Sequence, residues 1–216
     1  MQNSSQFDYG NGLVFYNEKD IQLREYLTNK IYTLIRDTLH KENKSITFER
    51  VETPTLLLPE LLKSHIEQKF ELIQAGKHYL RPETTKGLYK VLENKKLPHC
   101  VWQIGKSYRD EKLGKFRIKN LRFREFYQLE FEIAFSENTK CDYMEVVKNE
   151  LIKEFGFNEV VPDDLPHYSK KTIDLYLQGH ETVALSYRED FNFPIFEVSV
   201  GMDRLVYLMQ EKTNNK

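Results

Sequence analysis

Arg122-Phe123-Arg124-Glu125-Phe126-Tyr127-Gln128-Leu129-Glu130-Phe131-Glu132-Ile133 is the stretch whose reading decides the fold. Alternate side chains of a strand point to opposite faces. One parity is Phe123, Glu125, Tyr127, Leu129, Phe131 and Ile133, largely apolar. The other is Arg122, Arg124, Phe126, Gln128, Glu130 and Glu132, a single aromatic among charges of both signs. Such a face open to water is the ordinary outcome for an antiparallel sheet. A strand of this length is nevertheless expected at the centre of a sheet, and a face mixing Arg, Glu and Phe suits a ligand with anionic, cationic and flat aromatic parts.

Downstream, Pro194-Ile195-Phe196-Glu197-Val198-Ser199-Val200 repeats the alternation, with Phe196, Val198 and Val200 on one side and Glu197 and Ser199 on the other. It runs into Gly201-Met202-Asp203-Arg204, the start of an apolar helix. Arg204 then falls in the first turn, where guanidinium and helix N-terminus can together meet phosphate; a capping or surface arginine is the alternative. Upstream, Gly105-Lys106-Ser107-Tyr108-Arg109-Asp110-Glu111 ends a strand and puts Arg109 and Glu111 on one face. Between Ile104 and Arg124 stand eight basic residues against two acids. This pattern predicts a hairpin with a basic loop, suited to a polyphosphate or an RNA end, or else a solvated charged loop. ATP together with an amino acid carries all the chemistry these faces match.

Further out, Leu23, Leu27, Ile31, Leu34, Ile35 and Leu39 recur at helical spacing, predicting a helix over 20–41 with Asp20 as its N-cap. Helices are also expected over 84–94 and 141–154, and extended segments over 48–58, 100–105, 121–135, 182–187 and 194–200. Strands clustered in the second half with short connections indicate α+β with a mostly antiparallel sheet.

The 216 residues suit one domain. Hydrophobic residues at 40% and charged residues at 30% are a globular composition. A net charge of −1 excludes a strongly basic nucleic-acid protein. Two cysteines, Cys100 and Cys141, exclude a disulfide scaffold and a Cys-rich zinc site and fit a reducing compartment. No apolar run is long enough to span a membrane, and the N-terminus lacks the build of a signal peptide; a cytoplasmic protein is expected. Cys100 reads as core and Cys141 as an inert thiol at a helix start, so no side chain stands out as a nucleophile.

The three patches, in this order, resemble motifs 2 and 3 of the class II aminoacyl-tRNA synthetases, most closely the dimeric glycyl enzymes. Tyr108-Arg109-Asp110-Glu111, the basic loop and 122–130 match motif 2; Glu197 to Arg204 match motif 3. Leu80-Arg81-Pro82-Glu83-Thr84-Thr85-Lys86-Gly87 is similar to the glycyl enzymes' RPET signature. Residues 64–70, 167–174 and 188–191 resemble further glycyl-enzyme segments, and the 20–41 helix with the strand around Pro54 resembles motif 1, the dimer element. Ordered signatures over roughly residues 8–210 carry the resemblance.

It implies an antiparallel sheet of about six strands flanked by helices, one catalytic domain over 1–216 without an anticodon-binding domain, and a homodimer. It implies ATP and Mg²⁺ as cofactors, glycine as substrate, and tRNA or a tRNA-like acceptor as partner. Arg109 would hold the α-phosphate and Arg122 and Arg204 the γ-phosphate. Glu111 would accept from the adenine amino group, with Phe126 stacked on the ring and Asp110 and Phe123 beside it. Glu181 and Thr182 match the Mg²⁺–ATP contact, Glu181 as the metal ligand. Glu83, Glu130, Glu197 and Ser199 would form the glycine pocket, and Arg188 would neutralise its acids or approach the substrate carboxylate. The sequence departs from the glycyl pattern at Val198, where the family has Pro, and at Thr85-Lys86, where it has Ala-Gln. A binding module without catalysis, as in the accessory subunit of the mitochondrial DNA polymerase, an adenylate or amino-acid sensor, and a ligase with a non-tRNA acceptor are the other readings.

Overall fold

The computed structural model describes residues 8–10, 12–67, 72–110, 121–136, 141–162, 164–165 and 168–214. In chain order the strands are β1 (Asp8–Gly10), β2 (Leu13–Val14), β3 (Thr47–Arg50), β4 (Leu56–Leu57), β5 (Gln74–Ala75), β6 (His78–Leu80), β7 (His99–Tyr108), β8 (Glu125–Ala134), β9 (Asn158–Val160), β10 (Ser169–Leu177), β11 (His180–Arg188) and β12 (Ile195–Gly201). The helices are α1 (Glu18–Glu42), α2 (Lys63–Glu67), α3 (Thr85–Leu92), α4 (Tyr143–Phe155) and α5 (Met202–Asn214).

Seven strands form the main sheet in the order β3-β7-β8-β12-β11-β10-β9. β3 pairs parallel to β7, and every other neighbouring pair is antiparallel. The expected α+β class and mostly antiparallel sheet are therefore present, with seven strands rather than about six. β8 lies inside the sheet, between β7 and β12, as its length implied.

Two layers cover the sheet. The apolar parity of the strands (Trp102, Leu129, Phe131, Ile133, Phe196, Val198 and Leu185 among them) packs against α1, α4 and α5, forming the principal core. The opposite face meets α3, where Leu88, Tyr89 and Leu92 pack on Val101, Ala134 and Ile195. A small sheet ordered β4-β6-β5 lies just before α3 in the chain. The polar face of β8 is thus no water-facing surface: Glu130 and Glu132 are 1% and 0% exposed.

The first helix begins earlier than its apolar spacing indicates. Asn17 is the N-cap, accepting from the Asp20 amide at 3.1 Å, and Asp20 sits at N3, accepting from the Asn17 amide at 2.8 Å. This capping box satisfies amides that the helix cannot, so Asp20 is half of the cap rather than the cap itself. α4 has Asp142 as N-cap and stops at Gly156, whose φ of 74° closes the helix. β10 lies outside the segments expected to be extended, although Ile173, Leu175 and Leu177 alternate into the core. It pairs with β11 through Gln178 and Gly179, at φ of 50° and 80°, the left-handed pair that matches strand twist in a two-residue hairpin. Cys100 is buried in β7, and Cys141, its thiol pushed up to about 11 by burial and by Glu42, precedes α4. Both fit inert thiols.

Candidate active site

Antiparallel register turns residues of one parity into rows across the sheet. On the α3 side the rows read Ser107–Phe126, then Gly105–Gln128–Gly201, then Gln103–Glu130–Ser199–Ala184, then Val101–Glu132–Glu197–Ser186. Four strands far apart in sequence thereby present one continuous polar face.

At the Phe126 end is a pocket lined by Arg109, Arg122, Phe126 and Arg204, with Phe123 reaching it from the core side and Glu181, Thr182 and Ser199 on the far wall. Eight residues singled out from the sequence meet in this one place. The Arg109 guanidinium lies 5.2 Å over the Phe126 ring and its Nε donates to the Pro82 carbonyl at 3.3 Å. Arg204 donates to the Leu121 carbonyl at 2.9 Å and the Glu181 carbonyl at 2.7 Å. These bonds hold both guanidinium groups at the pocket wall, an arrangement suited to a polyphosphate. Asp203, beside Arg204, is buried; it accepts from the Tyr16 hydroxyl and from the Tyr127 amide at 2.6 Å. It ties the start of α5 to β8. Burial pushes its carboxyl up to about 6.

Asp110 pairs with Arg124 and is not among the pocket's lining residues. Glu111, the 111–120 loop and His167 lie outside the described residues. The side chain of Glu181 is half exposed and 3.9 Å from Arg204. An exposed carboxylate oxygen at such a pocket is the hard donor that Mg²⁺ takes while keeping its waters, so Glu181 fits that ion, whereas Thr182 is buried and its hydroxyl donates to the His180 carbonyl at 2.9 Å.

Two rows further, the face becomes acidic. Glu130 accepts from Thr84 Oγ1, from Thr85 Oγ1 at 2.9 Å and from Gln128 at 3.1 Å. Burial, with the charges of Glu197 and Glu83, pushes its carboxyl up to about 8. Glu197 takes the Arg188 guanidinium at 2.5 Å, and Arg188 also grips Asp190 twice at 3.0 Å. The Arg188 side chain is 2% exposed and stacks on the Tyr168 ring at 3.8 Å. Glu83 lies 3.5 Å from His65. Burial alone would raise its carboxyl, but the His65 bond and the charge of Arg188 hold it down to about 2. Gln128 bridges the two ends, reaching both Glu130 and the Ser199 hydroxyl at 2.8 Å. The loop that carries Glu83 is latched by Arg81, which donates to the carbonyls of Lys106 at 2.7 Å and Thr53 at 2.8 Å. Its guanidinium lies where a Cβ on Gly105 would be, so a side chain at that position would push Arg81 out of this latch.

The structure brings Glu83, Glu130, Arg188 and Glu197 together as the sequence indicated and adds groups it did not. Thr85 bonds Glu130 and also reaches Glu197 at 3.3 Å. Lys86 pairs with Asp190 at 2.7 Å, and Tyr89 donates to the same carboxylate at 3.1 Å. The Thr85-Lys86 departure noted in the sequence is therefore part of the site's wiring. Glu132 completes a buried trio: oxygens of Glu130, Glu132 and Glu197 lie within 4.8 Å of one another. Carboxylates so grouped suit a compact cation.

The profile of the family described as tRNA synthetases class II (D, K and N) matches residues 7–172. The glycine–tRNA ligase of Ureaplasma urealyticum serovar 10 is 32% identical over 160 residues, covering 64% of this chain and 33% of that protein. That of Macrococcus caseolyticus is 33% identical over 159 residues, covering 64% and 33%. The chain spans about a third of the length of these curated relatives. Among solved structures, seryl-tRNA synthetase from Pyrococcus horikoshii complexed with ATP superposes with a TM-score of 0.69 at 16% identity, covering 93% of this chain and 53% of that one. Pyrrolysyl-tRNA synthetase from Desulfitobacterium hafniense gives 0.60 at 18%, covering 89% and 76%. Family profile, fold and register-matched polar face agree: this chain belongs to the class II tRNA synthetases.

Proposed function

We propose that the protein activates glycine with ATP to glycyl-adenylate and passes the glycyl group to an acceptor, tRNA in the first instance. The observation that carries this reading is the junction of two sites on one face. A pocket rimmed by Arg109, Arg122 and Arg204 adjoins a buried acidic one, with Gln128 bonded to both Glu130 and Ser199 between them.

The acidic end would hold the glycine ammonium on Glu83, Glu130 and Glu197. Glycine offers no side chain to recognise, so selection must come from the ammonium and from lack of room at Cα. The glycine carboxylate would attack the α-phosphorus in line and pyrophosphate would leave. Arg109 would neutralise the charge that develops at the α-phosphate, and Arg122 and Arg204 would hold the terminal phosphates. Mg²⁺ would screen the polyphosphate. Positioning and charge supply the catalysis and no covalent enzyme intermediate is required.

The test is amino-acid-dependent ATP–pyrophosphate exchange with Mg²⁺ across all twenty amino acids. Exchange with glycine alone is expected. Another amino acid would keep the activation chemistry and overturn the glycine pocket; no exchange on folded protein would favour the binding module. Arg204→Ala is expected to fold, since the side chain is 27% exposed and hydrogen bonds such as those it makes to the Leu121 and Glu181 carbonyls weigh about 1.5–3 kcal/mol each at most, and to abolish exchange. Unchanged exchange would remove Arg204 from the phosphate site. Transfer to tRNA, cytoplasmic residence and dimerisation belong to the same reading. No described helix is long and apolar enough to cross a membrane.

A further inference from the structure

The acidic end contains one group that the reading above leaves without work. Glu132 is 0% exposed, and neither of its carboxylate oxygens has a hydrogen-bond partner among the described residues. It stands in register between Val101 on β7 and Glu197 on β12. Among the described residues, the polar groups of the elements packed around it have hydrogen-bond partners of their own. From α3, the Tyr89 hydroxyl and Lys86 go to Asp190. From β11, Arg188 goes to Glu197 and Asp190. On β8 itself, Glu130 is held by Thr84, Thr85 and Gln128. From β7, the Cys100 thiol faces its own neighbour's carbonyl and His99 reaches Glu49.

An ionised carboxylate with no donor, buried among two other acids, is strongly disfavoured. A neutral carboxylic acid avoids that cost and gains a hydrogen to donate. The acceptor at hand is Glu197, the residue directly across the strand pair, one carboxylate oxygen of which lies within 4.8 Å. Burial, then Glu197 and Glu130, push the Glu132 carboxyl well above the usual range. Glu197, by contrast, has the guanidinium of Arg188 to compensate it.

We propose that Glu132 is a positioning residue: a neutral carboxylic acid that donates its proton to Glu197 and aims that carboxylate at Arg188 and the amino-acid pocket. It also lowers the negative charge there by one, so that the substrate ammonium meets a pocket matched to one cation. The inference rests on the reading of Glu197 as an amino-acid-binding group.

Two measurements separate its failure from the failure of that reading. The first needs no substrate: an infrared difference spectrum, wild type minus Glu132→Gln, at neutral pH. Loss of a carbonyl band of a protonated acid is expected; loss of carboxylate bands instead overturns the proposal. The second is exchange kinetics on variants whose melting matches the wild type. Glu132→Leu, similar in volume and uncharged, is expected to raise the glycine KM about tenfold or more, the weight of one hydrogen bond to a charged group. The ATP KM should stay within about twofold in that variant, because the phosphate pocket is untouched. Glu132→Gln, whose amide can still donate to Glu197, should recover most of the lost glycine affinity without a new inflection in the pH profile. An unchanged glycine KM in Glu132→Leu, or equal damage in both variants, overturns the role. If wild-type protein shows no exchange with any amino acid, the functional reading falls and the infrared result alone decides the state of Glu132.

Discussion

Charged side chains inside this protein are held by neighbours of specific kinds, and removing one has calculable results. Arg188 compensates both Glu197 and Asp190 in a dry environment. Arg188→Met leaves buried Glu197 without its cation, while Asp190 keeps Lys86 and Tyr89, and is expected to cost about 3–5 kcal/mol, as for other broken buried pairs. Urea unfolding measures it; a loss under about 1 kcal/mol would mean that solvent reaches the acids. Glu130 sets a pH dependence. Its folded value of about 8 stands above the ordinary 4.5, so the folded protein binds the proton more tightly than the unfolded chain. Its contribution to stability is complete below about 4.5 and declines as pH rises towards 8. Glu83, held at about 2, works the other way: its contribution is complete above 4.5 and disappears as pH falls towards 2. Melting of the wild type should therefore decline from about pH 5 to about pH 8. Glu130→Gln should flatten that slope and melt about 3 °C or more higher at the upper end. Parallel slopes in the two proteins would show that Glu130 is already ionised.

At the scale of elements, periodicity made the three long helices and the β8 and β12 strands legible, because burial on one face leaves a residue-by-residue trace. Boundaries were less so: α1 starts at Glu18 because Asn17 and Asp20 exchange hydrogen bonds, a signal in polar residues that apolar spacing passes over. Asn17→Ala should cost about 1 kcal/mol, with Asn17→Ser close to wild type; thermal melts that fail to separate the two would deny the capping box a role. β10 carries its apolar alternation openly, whereas β9 is three exposed residues and gives no pattern to read. The site residues Arg109, Arg204, Glu130 and Glu197 were recognisable as motifs. Thr85, Asp190 and Glu132 were not, since their significance comes from contacts made across distant parts of the chain, such as Thr85 with Glu197 and Tyr89 with Asp190.

For the whole molecule, the motif 1 likeness and exposed apolar side chains before and along α1 (Leu13, Phe15, Ile21 and Tyr26) support association of two copies. Sedimentation at micromolar concentration should give a dimer, and a monomer there would remove that part of the proposal. The polar rows across β7, β8, β12 and β11 have another effect. Side chains alternate with a period of two, so sliding β12 by one residue along β8 would drive Glu197 and Ser199 into the core and turn Phe196 and Val198 onto the polar face. Each slip by an odd number of residues would strand a carboxylate among hydrocarbons. The acids that line the candidate site therefore also favour one alignment of the sheet over the alignments one residue away.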